Sequence, residues 1–228
     1  MTKRTTPMAG VVAIGSFFLL GCGATATGPD PLPEALSEPV PAPTVGLASL
    51  ADSTAVLAGG CFWGVEAVFE SVRGVLDVVS GYSGGTAATA HYPLVVAGVT
   101  DHAEVVQVRF DPGQISYAQI LRIFFLVAHD PTQLNRQGPD IGEEYRSNIF
   151  FLNDAQHNAA AEYIEELERA RTFARPIVTR LDPLEAFYPA EEEHQDFVRK
   201  NPDDPYVVRH DLPLLAKLRR TFPNLYEP

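Results

Sequence analysis

At 228 residues, 46% hydrophobic and 20% charged, the chain has a globular composition with room for one ordinary domain, which excludes a disordered or fibrous protein. Seventeen Lys and Arg against 29 Asp and Glu give a formal net charge of −12. A field of that sign repels phosphate backbones and anionic headgroups, so neither nucleic acid nor a charged lipid surface is an expected partner.

The first residues read as a targeting segment. Lys3 and Arg4 precede an uncharged apolar run from Met8 to Leu20, short for a membrane span but of signal-peptide length. The run ends Leu19-Leu20-Gly21-Cys22, which resembles a bacterial lipobox. That resemblance implies a signal peptide over 1–21, cleavage before Cys22 and lipidation of Cys22. The expected location is therefore the bacterial cell envelope, held by lipid. Gly23 in place of Asp is compatible with the periplasmic face of the outer membrane in a Gram-negative cell. Residues 22–46 carry Pro29, Pro31, Pro33, Pro39, Pro41 and Pro43 and read as a stiff tether. The folded domain is expected over 47–228. Of the two cysteines, Cys22 takes the lipid, so Cys61 is left as an unpaired thiol in an oxidising compartment, which calls for a functional reason.

Within the domain, Ala55 to Ala58 reads as a buried strand leading into Gly59-Gly60. A helix is expected from Cys61 to about Val72, with Val65, Val68, Phe69 and Val72 on one side. A second strand covers Val75 to Ser80, a small-residue loop Gly81 to Ala90, and a third strand Glu104 to Phe110. Ser116 and Gln119 form a capping-box pair for a helix from Tyr117 to about His129. Asp130 to Tyr145 is polar and irregular, long enough for a functional loop. A strand over Ser147 to Leu152 and a helix from Asp154 to about Thr172 follow. Short strands at Ile177 to Leu181 and Glu185 to Phe187 precede a helix at Glu191 to Lys200 and another at Leu212 to Thr221, with Asp211 as its candidate cap. Helices and strands interleave without a doubly wound repeat, so an α+β sandwich with helices on a mixed sheet is expected.

The sharpest local signal is Gly59-Gly60-Cys61-Phe62-Trp63-Gly64-Val65-Glu66. A cysteine at a helix N-terminus faces unpaired N–H groups and the positive end of the dipole, which predicts a lowered pKa and a nucleophile. Phe62 and Trp63 beside the sulfur offer an apolar pocket. On the third strand, His102 and Glu104 share a face with Val106 and Val108. A carboxylate on such a face has a raised pKa and is a candidate general acid. Tyr92, Asp140 and Tyr145 lie in or beside the long loops, where binding groups collect. His129, His157 and His194 show no zinc-type spacing, so no metal is expected, and His194 reads as structural.

Taken together, Gly60 to Glu66, Gly81-Tyr82-Ser83-Gly84-Gly85, His102-Ala103-Glu104, His129-Asp130-Pro131, Gln137-Gly138-Pro139-Asp140, Tyr145-Arg146-Ser147 and Pro189 to Gln195 resemble the A-type methionine sulfoxide reductases, in order, from about Ala55 to Tyr226. The resemblance implies an elaborated ferredoxin-like α+β sandwich. It assigns Cys61 as nucleophile and Glu104 as acid. Tyr92, Asp140 and Tyr145 match the groups around the sulfoxide oxygen, and Phe62 and Trp63 the walls around its methyl. It further implies reduction of the S epimer of methionine sulfoxide, free or in proteins, through a Cys61 sulfenic acid, and a role in repair. No cofactor is implied. No cysteine follows Cys61, so an external thiol is expected as reductant: a thioredoxin-like or glutaredoxin-like domain, or glutathione. Glu193 stands where many members carry an aromatic residue. A monomer is expected. Two other readings stay open: a different cysteine enzyme, either a thiol peroxidase or an acyl transferase with His102 as base, and a non-catalytic lipoprotein that binds methionine-rich or oxidised segments.

Overall fold

The computed structural model describes residue 2 and residues 53–228. The expected signal peptide, the expected lipid acceptor Cys22 and the expected tether over 22–46 lie outside the described residues. All described residues but Thr2 fall in the second of two compact units, 34–228.

Six strands form one mixed sheet, in the order β7-β6-β1-β3-β2-β8. β1 (Thr54–Gly59) sits centrally, antiparallel to both β3 (Ala103–Phe110) and β6 (Ser147–Phe151). β2 (Val75–Ser83) pairs antiparallel with β3 on one side and with β8 (Tyr188–Pro189) on the other, whereas β7 (Arg180–Pro183) runs parallel to β6. Strand alternation splits the side chains between two faces. Ala55, Leu57, Val106, Val108 and Phe110 face the large core, under α1 (Phe62–Glu70), α3 (Tyr117–Ile123) and α4 (Asp154–Arg169). Val56, Ala58, Ala103 and Val105 face a smaller cluster with Phe150 and Phe187. The expected α+β sandwich is what the chain forms.

Local chemistry explains most boundaries. Ser116 and Gln119 make the predicted capping box, and Asn153 caps α4 by accepting from Gln156 N–H. α3 passes into a π-helical turn at Phe124–Ala128, which ends at His129. Its ring bonds the Phe124 carbonyl at 2.9 Å and Ser147 Oγ at 2.7 Å. Burial lowers the His129 pKa to about 4, so it is a neutral brace between helix and sheet.

Four expectations shift. β2 continues through Gly81-Tyr82-Ser83, which sequence composition placed in a loop. Gly81 belongs in the strand because a Cβ there would lie 2.5 Å from the Tyr188 carbonyl of β8. The two late strands move to β7 and β8, at Arg180–Pro183 and Tyr188–Pro189. The helix expected over 191–200 is a 3-10 turn, Glu192–His194, and a short α5, Phe197–Lys200. Between them Asp196 is left-handed at φ 55°, and Gln195 accepts from Ser80 N–H and donates to the Ser80 carbonyl, as a strand neighbour would. Finally, α6 (Leu212–Thr221) follows a second π-helical turn, Val207–Asp211, and Asp211 makes no cap. One short helix was not foreseen, α2 (Tyr92–Val95), beginning at a functional candidate.

Candidate active site

β1 delivers the chain to Gly59-Gly60. Gly60 is left-handed at φ +94°, and a Cβ there would meet Gln137 Cβ at 2.4 Å, so only glycine lets the 130–146 segment close over this turn. Cys61, half-buried, is the N-cap of α1. The first free amide of the helix does not serve its sulfur: Phe62 N–H donates to Glu104 Oε2 at 3.0 Å. Glu104 is 2% exposed and stands opposite Tyr82 in the β2–β3 register. Burial, against the pull of that hydrogen bond and helped by Asp140 and Glu144, raises its pKa from 4.5 to about 8. At neutral pH it therefore carries a proton to give.

Cys61 corrects the sequence reading. Its pKa is raised well above the ordinary value, first by burial, then by the charges of Glu104 and Asp211, with a smaller push from Asp140. The Trp63 N–H pulls the other way but does not win. The helix dipole is real, but burial outweighs it, and the sulfur stays a thiol at rest.

A cavity of about 210 Å³ is lined by Cys61, Phe62, Trp63, Tyr92, Glu104, Asp140, Tyr145 and Tyr206. All seven site residues taken from the sequence thus meet in one place. Tyr206 is the one that sequence reasoning missed. It sits 145 positions from Cys61, in an Asp204-Pro205-Tyr206 helix start that carries no motif. Its hydroxyl donates to Asp140 Oδ2. Asp140 itself is presented by a tight hairpin, β4 (Arg136–Gln137) against β5 (Asp140–Ile141). Gln137 locks the base of this segment by accepting from Asp130 N–H and donating to its carbonyl.

The apolar wall is braced from behind. Trp63 stacks on Phe197 with centroids 3.6 Å apart, and Tyr206 meets it edge-on. The indole N–H donates to His194 Nδ1 at 3.3 Å, which leaves that nitrogen unprotonated. Burial holds the His194 pKa below its usual value, consistent with a neutral ring. Tyr92 packs on the same histidine at 4.2 Å, and Glu191 ties it down by accepting from Tyr92 N–H at 3.0 Å and Tyr82 OH at 2.8 Å. His194 is thus structural, as expected, though on a 3-10 turn. Glu193 faces solvent. Burial and the Glu104 charge raise Tyr92 to about 12 and push Tyr145 up too. Their hydroxyls stay protonated and able to donate.

Other candidates fall away from the cavity. His102 is fully buried, its Nε2 3.0 Å from the Thr86 carbonyl and its ring against Tyr82 and Tyr188, and it does not line the pocket. Among the described residues, no group of three or more His, Cys, Asp and Glu is placed to hold a metal ion.

The arrangement pairs a thiol with a protonated carboxyl and tyrosine hydroxyls over an aromatic socket. The peptide methionine sulfoxide reductase family model matches residues 53–224. Two relatives are named peptide methionine sulfoxide reductases. One, from Synechocystis sp., is 48% identical over 92% of this chain and 94% of its own. The other, from Mesorhizobium japonicum, is 51% identical over 76% and 89%. Solved structures agree: Mxr1 from Saccharomyces cerevisiae in reduced form has a TM-score of 0.63 at 35% identity, covering 72% of this chain and 93% of that one. Methionine sulfoxide reductase A of Corynebacterium diphtheriae has a TM-score of 0.57 at 32% identity, covering 77% and 86%. The chain belongs to the peptide methionine sulfoxide reductase family.

Proposed function

We propose that this oxidoreductase reduces the S epimer of methionine sulfoxide, free or in proteins, with Cys61 as nucleophile and Glu104 as acid. The observation that carries the reading is the shared cavity, in which a thiol, a carboxyl still protonated near neutrality and an apolar wall converge. A sulfoxide needs donors at its oxygen and an apolar socket for its methyl. Tyr92, Tyr145 and Glu104 supply the first, Phe62 and Trp63 the second. The Cys61 sulfur attacks the sulfoxide sulfur while Glu104 protonates the oxygen and regains the proton that the thiol gives up, and oxygen passes to cysteine. Methionine leaves, and Cys61 is left as a sulfenic acid. Asp140, turned by the Tyr206 hydroxyl, shapes the rim beside the sulfur.

An external thiol then returns the sulfenic acid to thiol, because Cys22 and Cys61 are the two cysteines of the sequence and Cys22 is the lipid acceptor of this reading. The Leu19-Leu20-Gly21-Cys22 motif and the prolines after it support a lipid-anchored repair enzyme of the bacterial envelope. A detergent-phase partition of cell extracts that is unchanged by Cys22→Ser would remove the anchor.

Turnover of separated S and R epimers of a blocked methionine sulfoxide with dithiothreitol tests the chemistry. Conversion of the S epimer alone, lost in Cys61→Ser, is expected. Folded protein that converts neither epimer would leave the binding-lipoprotein reading in its place.

A further inference from the structure

A second cavity, about 230 Å³, lies against Cys61 and is no part of the sulfoxide socket. Cys61, Asp140 and Tyr206 line both spaces, whereas Phe62, Trp63, Tyr92, Glu104 and Tyr145 line only the first. Around the second stand the end of the π-helical turn at Val127 and Ala128, together with Asp211, Leu214 and Lys217. Its rim includes Gly138 and Pro139, both exposed, so it reaches solvent. Asp211 is 3% exposed, and its Oδ2 has no hydrogen-bond partner, an expensive state for a buried carboxylate that nothing in the first cavity explains.

The geometry points to this second cavity as the entry site of the reducing thiol, a small neutral organic thiol whose proton is taken by Asp211. The inference rests on the reductase reading above. In the sulfenic acid the transferred oxygen stays among the donors of the first cavity, where Glu104 held it. Displacement at sulfur proceeds in line with the bond that breaks, so the attacking thiol arrives from the side away from that oxygen. The thiol sulfur forms a disulfide bond with Cys61 as the S–O bond breaks, and the hydroxide leaves as water with a proton from Glu104. The entering sulfur is oxidised and the Cys61 sulfur reduced. A second equivalent of thiol then releases Cys61–SH and the small disulfide. Asp130, Asp140 and Asp211 outnumber Lys217 among the residues that line the cavity, which disfavours a preformed thiolate, so the reagent enters neutral and needs a proton acceptor beside the sulfur. Asp211, whose pKa burial raises to about 7, suits that role.

The two half-reactions are read apart in rapid-quench experiments with the whole chain, blocked methionine sulfoxide and 2-mercaptoethanol. For Leu214→Trp, which fills the second cavity, a wild-type burst of about one methionine per enzyme is expected, followed by turnover slowed at least tenfold. Asp211→Asn should slow the same phase several-fold. In the wild type, saturating blocked methionine in the first socket should leave re-reduction of the sulfenic enzyme unchanged. Re-reduction at the wild-type rate in Leu214→Trp, or slowed by methionine in proportion to its occupancy, would overturn the second entrance while the burst upholds the reductase. Absence of any methionine formation by the folded wild type would overturn both.

Discussion

Glu104→Gln separates what this carboxyl does for chemistry from what it does to stability, because the two effects have opposite signs. Gln keeps the size of the side chain and an oxygen to accept the Phe62 N–H at 3.0 Å, so the start of α1 stays closed. It cannot deliver a proton to the sulfoxide oxygen. Loss of a positioned acid removes about 10²- to 10⁴-fold in rate, and we expect the methionine burst to slow by that order. With a pKa of about 8, roughly nine in ten wild-type molecules carry the proton at pH 7, so the wild-type burst rate should be flat there and fall tenfold for each pH step above about 8. The variant should show no such break. For stability, the folded pKa lies above the unfolded value of 4.5, so the folded state binds the extra proton between pH 4.5 and about 8. Wild-type stability therefore falls as pH rises through that window. At ~1.4 kcal/mol for each tenfold change in proton affinity, the ideal limit is about 5 kcal/mol, and a few kcal/mol is the realistic expectation. Denaturant unfolding above pH 8 should find Glu104→Gln more stable than wild type, though slower. A near-normal burst in the variant, or a wild-type profile with no break near pH 8, would refute the acid role. Equal stability of the two proteins above pH 8 would refute the burial argument behind it.

Three further perturbations have definite signs. Gly60→Ala forces a side chain into a left-handed position and against Gln137, so a loss of about 1–3 kcal/mol is expected, seen as a thermal midpoint several degrees lower. Tyr206→Phe removes the donor that holds Asp140 and should lower kcat/KM by roughly fivefold, about 1 kcal/mol, while the burst amplitude stays at one methionine per enzyme. Glu66 is 1% exposed, with its pKa raised from 4.5 to about 7 by burial and then by Glu70. Its folded state also binds the extra proton, so stability falls between those values, and Glu66→Gln should unfold at higher denaturant than wild type above pH 7.

What the sequence exposed and what it hid follow from the range of the forces involved. Cys61 and Glu104 were legible because each obeys a local rule: one stands at a helix start after two glycines, the other on the apolar parity of a strand with Val106 and Val108. The capping box and the central strands were legible for the same reason. The late strands and the 191–200 segment were not. Strands β7 and β8 are short edge pieces whose register is set by β6 and β2, so no local period marks them. Gln195 leaves a helical pattern because its amide finds the Ser80 backbone across the fold, 115 residues away. Tyr206 reaches the socket from the helical residues that open into a π-helical stretch ahead of α6. The dipole rule failed at Cys61 because it counted the helix and neither the burial of the sulfur nor the carboxylates, which arrive from β3, the β4–β5 hairpin and the turn before α6.

Those carboxylates make sense of a nucleophile that is not ionised in advance. A permanently exposed thiolate reacts with any oxidant that reaches it and climbs toward irreversible acids. Here burial first, then the Asp211 and Asp140 charges and, above about pH 8, that of Glu104, hold the sulfur as a thiol. Glu104 is the pivot of that control. Protonated, it no longer repels a thiolate, and it is in the protonated form that it can serve the sulfoxide oxygen. The state that makes the acid competent is therefore also the state that eases ionisation of Cys61, so both are available together below about pH 8. Alkylation of Cys61 by iodoacetamide reads this coupling directly. In Glu104→Gln, which is neutral at every pH, the thiol should alkylate faster than wild type above pH 8 and at a similar rate below it. A difference that runs the other way would mean that Glu104 is not what holds the thiol back.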